Sequence, residues 1–265
     1  MDQVSVMAMP DHPRITIVTA SFNALDGLRQ TVESVASQEY PNVQHVIVDG
    51  GSTDGTRAYL ESLGGAVSWI SEPDEGIAHA MNKGIAMADG EWVLVLQAED
   101  TFFENHSLSR AVRHLSGDGM VGFDVLFDKG EGGIERLPSR KFSRFTNYRM
   151  LNPHQGLFCA RAMFEDIGGF DPKLRLTMDY DHILRAKFAG YGLKTVPQII
   201  SVMPATGISS RETWSARHEM LAEQAKVHRK NARNFLQKLS YYAFWAAFYP
   251  AYFVKWHLLR NTRFY

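Results

Sequence analysis

The chain has 265 residues, 45% of them hydrophobic, which is enough for a sizeable core in one large domain or in one domain with an appendage. A formal net charge of −1 gives no overall indication of nucleic-acid binding, so we expect no nucleic-acid partner. Cys159 is the single cysteine, which excludes an internal disulfide and favours a reducing compartment. The N-terminal residues lack the basic segment and the apolar run of a signal peptide, so we expect a cytoplasmic protein.

The first hundred residues alternate between predicted strands and predicted helices. Apolar and β-branched runs predict four strands, over residues 14–20, 42–50, 66–70 and 91–97. Helices are predicted between them, with Asp26 capping the first, a second starting near Thr56 and a third ending at Gly90. This alternation implies an α/β fold with a mostly parallel, doubly wound sheet, whose ligands bind beyond the carboxyl ends of the strands. Three predicted strands end in polar residues that we therefore expect to form one site: residues 19–23, 49–52 and 97–100.

The second half of the chain is less regular. Residues 128–150 are rich in glycine and charge and predict a loop or a mobile hairpin. Residues 152–172 predict a strand, a short helix and a Gly-Gly turn. A helix is predicted over 179–190 and another strand over 194–201, and residues 211–238 have a helical pattern that becomes basic toward its end.

Two adjacent carboxylates follow the fourth strand. Glu99 and Asp100 repel each other unless a cation or a network of hydrogen bonds holds them. Mg²⁺ and Mn²⁺ prefer oxygen ligands and usually share them with substrate phosphates. The sequence therefore indicates either a metal site or, alternatively, a helix cap for a segment that starts near Thr101.

The segment VDGGSTDGT follows the second strand. Gly50–Gly51 permits a sharp turn or a close approach of the backbone to a ligand. Asp49 at the strand end is placed to accept hydrogen bonds from a base or a ribose. The alternative is a plain turn at residues 54–55 with Ser52 or Thr53 as a helix N-cap.

The segment SEPDEGIAHAMNKGI opens the third helix. Asp74 and Glu75 precede Gly76 at the start of the helix, where free backbone N–H groups favour an anion. Asn82 and Lys83 lie farther along the same helix. The alternative is a solvated turn followed by an ordinary helix.

Together these segments resemble the family-2 glycosyltransferases, which are inverting enzymes with the nucleotide-sugar-binding GT-A fold. The matching segments are ITIVTASFN, VDGGSTDGT, SEPDEGIAHAMNKGI, GEWVLVLQAED, HQGLFCARAMFEDIGGFD and MDYDHILR. The match covers about residues 14–200, and it is strongest to the branch that acts in colanic-acid and other exopolysaccharide synthesis. The resemblance implies a GT-A catalytic domain over residues 1–210, with a nucleotide-sugar half at about 14–100 and an acceptor half at about 101–210, and a helical tail over 211–265.

The resemblance also implies a metal ion. The family usually has Asp/Asn-x-Asp-Asp at the end of the fourth strand, whereas Gln97 and Glu99 replace its first and third members here and Asp100 stands. Asp100 is thus implied as the ligand of Mg²⁺ or Mn²⁺, with Glu99 facing the ribose or the metal. Because Glu has one more methylene than Asp, strict metal dependence and a weaker or altered metal site both stay open.

The nucleotide-sugar contacts implied by the resemblance come from strand ends and from the third helix: Thr19, Ser21, Phe22, Asn23, Asp49, Gly76, Asn82, Lys83, Gln97 and Glu99. The family often has two acids where this chain has Asp49–Gly50. Asp49 and the 19–23 turn are therefore left to hold the base, and a UDP-sugar is the favoured donor.

The resemblance places the general base at Asp179. In the family, an acidic residue just before this helix deprotonates the acceptor hydroxyl as its oxygen attacks the anomeric carbon, and a single displacement inverts the configuration. The alternative makes Asp179 a helix N-cap, and Asp181 is the second candidate for the base or for an acceptor contact. His154 and Gln155 match an acceptor-side pair implied to contact the acceptor or the diphosphate. Residues 209–211 are a weaker candidate for a diphosphate contact.

The C-terminal residues combine aromatic and basic side chains. The run LSYYAFWAAFYPAYFV, residues 239–254, is uncharged, and the 42 residues after Glu223 contain eight Lys or Arg and no acid. A membrane-spanning helix needs roughly 20 apolar residues, and Pro250 interrupts this run. We therefore expect a helix that lies peripherally on the inner face of the cell membrane, where the acceptor would be lipid-linked. The alternative is a helix that docks on the catalytic domain or in a homodimer interface.

Three functions remain open from the sequence. The first is an inverting glycosyltransferase that moves a hexose from a nucleotide-diphosphate sugar to a lipid-linked or oligosaccharide acceptor in cell-surface polysaccharide synthesis. The second is a nucleotide-sugar-binding protein impaired in catalysis, which Gln97 and Glu99 suggest. The third is a membrane scaffold of a polysaccharide-synthesis complex, with the tail as its functional part.

Overall fold

The computed structural model describes residues 12–150, 152–207 and 213–259, which form nine strands and eight α-helices. The strands are β1 (Ile15–Ser21), β2 (Val43–Asp49), β3 (Ser68–Ser71), β4 (Trp92–Val95), β5 (Thr101–Phe102), β6 (Met120–Asp128), β7 (Ile134–Leu137), β8 (Leu157–Ala160) and β9 (Leu193–Pro204). The helices are α1 (Leu25–Ala36), α2 (Thr56–Ser62), α3 (Ile77–Ala86), α4 (Ser107–Ala111), α5 (Arg161–Ile167), α6 (Met178–Ala189), α7 (Trp214–Lys230) and α8 (Phe235–Leu259).

All nine strands belong to one mixed sheet in the order β3-β2-β1-β4-β8-β6-β9-β5, with β7 paired to β6. Strands β1 to β4 are parallel to one another, as expected for strand–helix alternation. Strand β8 is antiparallel to both of its neighbours, and β5 is antiparallel to β9. The predicted doubly wound α/β sheet is confirmed, and its second half is mixed rather than parallel.

The register of the parallel strands aligns their carboxyl ends. Ser21 at the end of β1 pairs with Asp49 at the end of β2, and Asp49 pairs in turn with Ser71 at the end of β3. On the other side of β1, the Ala98 amide after β4 donates to the Ala20 carbonyl at 3.3 Å. The polar residues after these strands therefore share one edge of the sheet, as predicted.

Alternating side chains of β1 pack against helices on opposite faces of the sheet. Val18 packs in one buried cluster with Met81 of α3, whereas Ile17 packs in another with Val35 of α1. Helix α3 lies very close to the sheet, because a Cβ added at Gly84 would come within 2.4 Å of the Val18 Cγ1 atom. This contact explains a glycine in the interior of a helix, where it otherwise lowers stability.

The start of α1 differs from the prediction. Asp26 lies in the first turn, and Ala24 occupies the N-cap position without a side-chain cap. The amide of Leu25 instead donates to the Asp54 carboxylate at 2.9 Å. Asp54, in the loop after β2, therefore accepts the hydrogen bond of the first amide of α1. The residues next to the helix could not indicate a partner so far away in the sequence.

Elements of the second half follow the prediction more closely. The loop or hairpin predicted over residues 128–150 is a hairpin only in its first part, where β7 pairs with the end of β6 from Asp128↔Ile134 to Val125↔Leu137. The strand, short helix and Gly-Gly turn predicted over residues 152–172 correspond to β8, α5 and Gly168–Gly169.

The C-terminal part forms two packed helices. The helical pattern predicted over residues 211–238 corresponds to α7 and the start of α8, with a break between Lys230 and Phe235 that the pattern did not indicate. Pro250 lies inside α8 rather than ending it. Aromatic rings join the two helices, and the His228 ring stacks on Tyr241 at 4.5 Å between ring centroids. Within the part of the chain that the structure describes, no helix has the length and apolar character needed to cross a membrane.

Candidate active site

Asp100 lies at the centre of the sheet edge with only 3% of its surface exposed. Its carboxylate accepts a hydrogen bond from the backbone amide of Gln97 at 2.8 Å and a long one, at 3.5 Å, from the side-chain amide of Gln155. Burial raises the pKa of Asp100 to about 6, an effect that the charge of His154 and these two hydrogen bonds reduce only in part. The alternative of a helix cap is wrong, because the residues that follow form strand β5.

Glu99 has a left-handed backbone, with φ +82°. Its amide donates to the Gly27 carbonyl at 3.1 Å, and a Cβ added at Gly27 would lie 2.2 Å from the Glu99 Cγ atom. Gly27 is therefore required for the close packing of α1 against this loop. The Thr206 hydroxyl, just after β9, donates a hydrogen bond to the Glu99 carboxylate. A positive φ at a non-glycine residue is uncommon and costs backbone energy, and here it occurs beside the predicted metal ligand.

His154 joins the sheet edge to α6. Its Nδ1 atom lies 3.4 Å from the Asp179 carboxylate, and its Nε2 atom is buried without a hydrogen-bond partner in the described residues. Burial lowers the pKa of His154, but the hydrogen bond and charge of Asp179, together with the charge of Asp100, outweigh burial and raise it. The nearby carboxylates of Asp179 and Asp100 therefore favour the protonated form of His154.

Asp179 lies in the first turn of α6, with its side chain 13% exposed. One carboxylate oxygen accepts from the Tyr180 amide at 2.7 Å, and the other faces His154. The alternative of a helix N-cap is wrong, because Thr177 occupies that position. Asp179 thus lies beside His154, with one carboxylate oxygen directed toward its ring.

Asp181 points away from this cluster, so its assignment to the acceptor or diphosphate is corrected. It is fully buried and pairs with Arg185 at 2.9 Å on its own helix. At the end of α7, Lys230 and Asn231 also donate to its carboxylate, at 3.1 and 2.8 Å. Its role is to join two helices.

Gln155, predicted as an acceptor or diphosphate contact, is buried against Asp100. Its carbonyl accepts from the Ser201 hydroxyl of β9 at 2.7 Å. Gln97 likewise connects elements, because its side chain accepts from the Ala20 amide at 3.3 Å and donates to the Met81 sulfur at 3.0 Å. Both glutamines therefore fix the strand ends around Asp100.

Thr19 and Asn82 have internal partners; the burial of Thr19 corrects its assignment as a direct donor contact, whereas that of the half-buried Asn82 stays a prediction. Thr19 is fully buried and hydrogen-bonds the His45 Nε2 atom at 2.9 Å. The Asn82 amide both donates to and accepts from the backbone of Phe170, at 2.8 Å each. Lys83 pairs with Glu72 at 2.7 Å, which holds the loop before α3.

Asp49 is also fully buried. Its carboxylate accepts from the hydroxyl of Ser52, from the Ser52 amide at 3.1 Å and from the Ser71 hydroxyl at 2.6 Å. The side chain thus shapes the Gly50–Gly51 turn instead of facing solvent, and Ser52 serves this turn rather than capping α2, whose N-cap is Gly55.

Beside that turn, Phe22 exposes 64% of its surface. A Cβ added at Gly50 would lie 3.2 Å from the Phe22 ring and 2.8 Å from the Asp74 carboxylate, so the ring and this carboxylate flank the glycine. Asp74 also accepts from the Gly76 amide at 2.8 Å, ahead of α3. An exposed aromatic ring beside a carboxylate can stack a planar base and accept its N–H groups.

Ser21 is the last residue of β1, and Asn23 lies in the loop that follows it. Asn23 has φ +48°, and its side-chain oxygen accepts from the Thr53 amide at 2.9 Å, which joins the loops after β1 and β2. The Ser21 hydroxyl is buried and has no hydrogen-bond partner among the described residues. It is a free polar group at the edge where ligands of such sheets bind.

The metal-ligand prediction concerns Asp100 and Glu99. In residues 12–150, 152–207 and 213–259, no group of three or more His, Cys, Asp or Glu side chains is arranged to hold a metal ion. Mg²⁺ is commonly bound through one or two carboxylates together with substrate phosphates and water. A buried carboxylate with a raised pKa next to a second carboxylate fits a cation that binds together with a diphosphate. Residues 209–211, the weaker diphosphate candidate, lie outside the described residues.

Sequence reasoning missed two contributors to this region. Thr206 and Glu223 act through bonds to residues far away in the chain, Thr206 to Glu99 and Glu223 to the backbone before α6. No local motif surrounds either residue, so the sequence held no signal for them.

Known glycosyltransferases resemble this chain in sequence. The sequence model described as Glycosyl transferase family 2 matches residues 16–170. The uncharacterised glycosyltransferase Rv1514c of Mycobacterium tuberculosis is 34% identical over 233 residues, which cover 84% of this chain and 87% of the relative.

Two solved structures resemble the fold. S. aureus TarS 1–349 in complex with UDP superposes with a TM-score of 0.63 at 16% identity, over 85% of this chain and 68% of that one. The mannosyltransferase PcManGT from Pyrobaculum calidifontis, in complex with GDP-Man and Mn²⁺, superposes with a TM-score of 0.58 at 20% identity, over 89% and 76%. These likenesses concern the fold, and they confirm the predicted GT-A-like architecture.

Proposed function

The chain belongs to glycosyl transferase family 2, and we propose that this glycosyltransferase moves a sugar from a nucleotide-diphosphate donor to an acceptor hydroxyl with inversion. The observation that carries the proposal is the cluster of Asp100, His154 and Asp179 at the carboxyl edge of the sheet. In this cluster the Asp179 carboxylate lies 3.4 Å from the His154 ring, next to strand ends suited to a nucleotide.

In this proposal, Asp179 is the general base. His154 orients the Asp179 carboxylate through the 3.4 Å contact, and the two neighbouring carboxylates raise the pKa of its ring. The carboxylate takes the proton of the acceptor hydroxyl while the acceptor oxygen forms a bond to the anomeric carbon. The bond from that carbon to the donor oxygen breaks on the opposite face, and the nucleotide diphosphate leaves with the electron pair. One displacement inverts the configuration and requires no covalent nucleophile.

We assign the donor to the edge formed by β1, β2 and β4. The exposed ring of Phe22 would stack on the base, with Asp74 beside it, and the unpartnered Ser21 hydroxyl would gain a ligand partner. Asn23 and Gly76 contribute through the loops that they hold. A UDP-sugar is our favoured donor; the two structural neighbours were solved with UDP and with GDP-Man, which supports a nucleotide-sugar donor in general.

Asp100 and Glu99 are the residues that would hold Mg²⁺ or Mn²⁺ together with the diphosphate. When bound, such an ion offsets the negative charge that develops on the leaving diphosphate. Mn²⁺ is present in one of the structural neighbours, which supports this assignment.

We further propose a lipid-linked glycan of exopolysaccharide synthesis as the acceptor, with α8 lying on the inner face of the membrane. One side of α8 docks on the protein through the buried Tyr241. The other side exposes large apolar residues: Phe235, Leu236, Leu239, Tyr242, Phe253, Val254 and Leu258. The exposed Lys238 and Lys255 flank the uncharged run and would contact anionic headgroups. In this proposal α8 docks on the protein with one side and contacts the membrane with the other, although the sequence had suggested these as alternatives.

The function is tested by transfer assays with a panel of UDP- and GDP-sugars, with and without Mn²⁺. We expect Asp179→Asn to lower kcat by about 10²- to 10⁴-fold, the range of general-base catalysis, with donor-induced thermal stabilisation retained. Asp118→Asn, an exposed aspartate before β6, is the control and should retain full activity. Full transfer by Asp179→Asn would refute the assigned base. A wild-type protein that binds donors but never transfers or hydrolyses them would support the impaired binding protein.

The membrane proposal is tested by flotation with vesicles of anionic and of neutral lipid. The double variant Leu239→Gln/Val254→Gln changes only exposed positions of α8 and should float less with anionic vesicles. Phe145→Gln removes a large apolar side chain outside α8 that is more exposed, at 74% against 53% and 51%, and is the control. Unchanged flotation, or a change from dimer to monomer in the double variant, would instead indicate another use of this face.

A further inference from the structure

The N-terminus of α6, which carries Asp179, is held from behind by a buried carboxylate of α7. Glu223 is 7% exposed and accepts hydrogen bonds from the amides of Arg175, Leu176 and Thr177, at 2.8, 2.7 and 2.7 Å. The Thr177 hydroxyl donates a fourth bond at 3.0 Å. The first amides of a helix and those just before it lack intrahelical partners, and a negative charge is favoured there. Glu223 supplies that charge from a different helix.

The four bonds require a carboxylate. One oxygen of Glu223 accepts from the Arg175 amide, and the other accepts from Leu176 and from both groups of Thr177. A glutamine at this position would turn an NH₂ group toward at least one of these donors. Two donors facing each other leave a buried amide without an acceptor, which is costly. Glu223→Gln therefore changes the bonding with almost no change in volume.

Two further buried contacts join the same turn of α6 to the end of α7. The Tyr180 hydroxyl donates to the Thr146 carbonyl at 3.0 Å and lies 2.9 Å from the His228 Nε2 atom. The indole of Trp245 on α8 donates to His228 Nδ1 at 2.8 Å. An indole nitrogen can only donate, so neutral His228 carries its proton on Nε2 and donates it to Tyr180. Asp181 forms the third contact, with Lys230.

The residues on either side of Asp179 are thus fixed to α7, while the Asp179 carboxylate faces His154. Thr177 and Asp181 lie two positions before and after it, and both bond to groups of α7. The 3.4 Å contact between Asp179 and His154 depends on where this turn sits. A displacement of a reacting group by about 1 Å can lower a rate by about 10²-fold.

We infer that Glu223 is a positioning residue for Asp179, acting through the backbone of residues 175–177. The inference rests on the proposed role of Asp179 as the base. It goes beyond that role because it makes the first C-terminal helix, which the sequence suggested to be part of a membrane tail, a component of the catalytic geometry. Replacement of Glu223 should leave donor binding unchanged, because none of the four groups that bond to it lies at the β1, β2 or β4 strand ends.

The test compares Glu223→Gln with Glu219→Gln. Glu219 lies one turn earlier on α7, is 58% exposed at its side chain and forms only a 3.8 Å surface pair with Arg175. We expect Glu223→Gln to lower kcat by about 10- to 100-fold, with donor KM and donor-induced thermal stabilisation changed by less than about 2-fold. Glu219→Gln should leave all three unchanged. Equal losses in kcat and in donor binding would overturn the inference, because a general structural defect affects both.

A double-mutant cycle separates the inference from the function on which it rests. In an Asp179→Asn background, Glu223→Gln should lower the residual rate by less than about 2-fold, since there is no base left to position. The same fold loss in both backgrounds overturns the positioning role alone. Full activity of Asp179→Asn overturns the proposed base, and the positioning role with it. If Glu223→Gln does not fold, Thr177→Val removes only the hydroxyl bond to Glu223, and it should show a smaller loss in kcat with the same unchanged donor KM.

Discussion

Two sets of polar groups along this edge of the sheet differ in how they are satisfied. Thr19, Asp49 and Asn82 were all expected to contact the nucleotide sugar, and each bonds to other groups of the protein. The Ser21 hydroxyl and one ring nitrogen of His154 have no partner in the described residues, and the buried carboxylate of Asp100 has its pKa raised to about 6. The first set is held by the fold, whereas the second contains groups that the described residues leave unsatisfied.

This difference separates the residues that build the site from those that use it. Buried polar groups are normally hydrogen-bonded, so a group left unsatisfied calls for an explanation such as catalysis or a missing ligand. A polar residue at a strand end shows where the ligand edge lies, but its bonds decide whether it can contact a ligand. Substitution of satisfied and of unsatisfied side chains therefore tests this distinction.

Asp100→Asn should have the largest effect and should act in opposite directions on activity and stability. We expect at least about 10²-fold loss of transfer and loss of Mn²⁺-induced thermal stabilisation, because an amide is a poor ligand for the ion. Without metal, the variant should be more stable than wild type by about 1 to 2 kcal/mol at pH 7.5, since the ionised carboxylate is buried at a cost there. Asn keeps the acceptor for the Gln97 amide, and urea unfolding with and without Mn²⁺ measures both effects.

The pH dependence of this gain is a further check. The folded state holds the proton of Asp100 to higher pH than the unfolded state, so this group makes wild type less stable as pH rises from about 4 to about 6. The stability difference between Asp100→Asn and wild type should therefore be small at pH 4 and complete above about pH 6. A constant difference across this range would contradict the raised pKa.

Acid should weaken the protein through three buried histidines. Burial lowers the pKa of His45 and His182 to about 3 and that of His228 to about 4. The unfolded chain binds these protons first, so stability is full above about pH 6.5 and is lost as pH falls toward the folded pKa values. We expect a loss of about 3 kcal/mol between pH 6.5 and 5. Urea unfolding of His45→Asn should show a smaller slope over this interval than wild type; an identical slope would argue against a neutral, buried His45.

Asn82→Ala should lower stability without changing donor affinity. Its two bonds to the Phe170 backbone join α3 to the Gly-Gly turn, and both backbone groups would lose their partner. The expected loss is about 2 kcal/mol in the free energy of unfolding. A variant with normal stability and a raised donor KM would instead support Asn82 as a ligand contact.

Local signals account for the part of the site that could be predicted. The acids at the end of a strand marked Asp100 as a candidate, and the resemblance of short segments to the family implied the roles of Asp100 and Asp179. Glu223 and Thr206 could not be found this way, because their bonds span 46 to 48 and 107 residues and depend on how helices pack. The break between α7 and α8 was missed for a related reason, since no proline or glycine marks it and Asn231 instead bonds to Asp181. The division into a catalytic domain over residues 1–210 and a tail over 211–265 stays a prediction.

The smallest expected effects come from two neighbouring hydroxyls of β1, and they provide the closest test of the comparison. Thr19→Val removes the partner of buried His45 and should cost about 1 kcal/mol of stability or slightly more, with donor KM unchanged. Ser21→Ala removes a hydroxyl that has no partner in the described part of the chain, so its stability should be equal to that of wild type or slightly higher. If that hydroxyl binds the donor, Ser21→Ala should raise donor KM by about 3-fold, which corresponds to one modest hydrogen bond. The two variants lie two residues apart on one strand, so a general disturbance of β1 would affect them alike. Opposite outcomes in stability and KM are expected only if the satisfied hydroxyl supports the fold and the unsatisfied one binds the ligand.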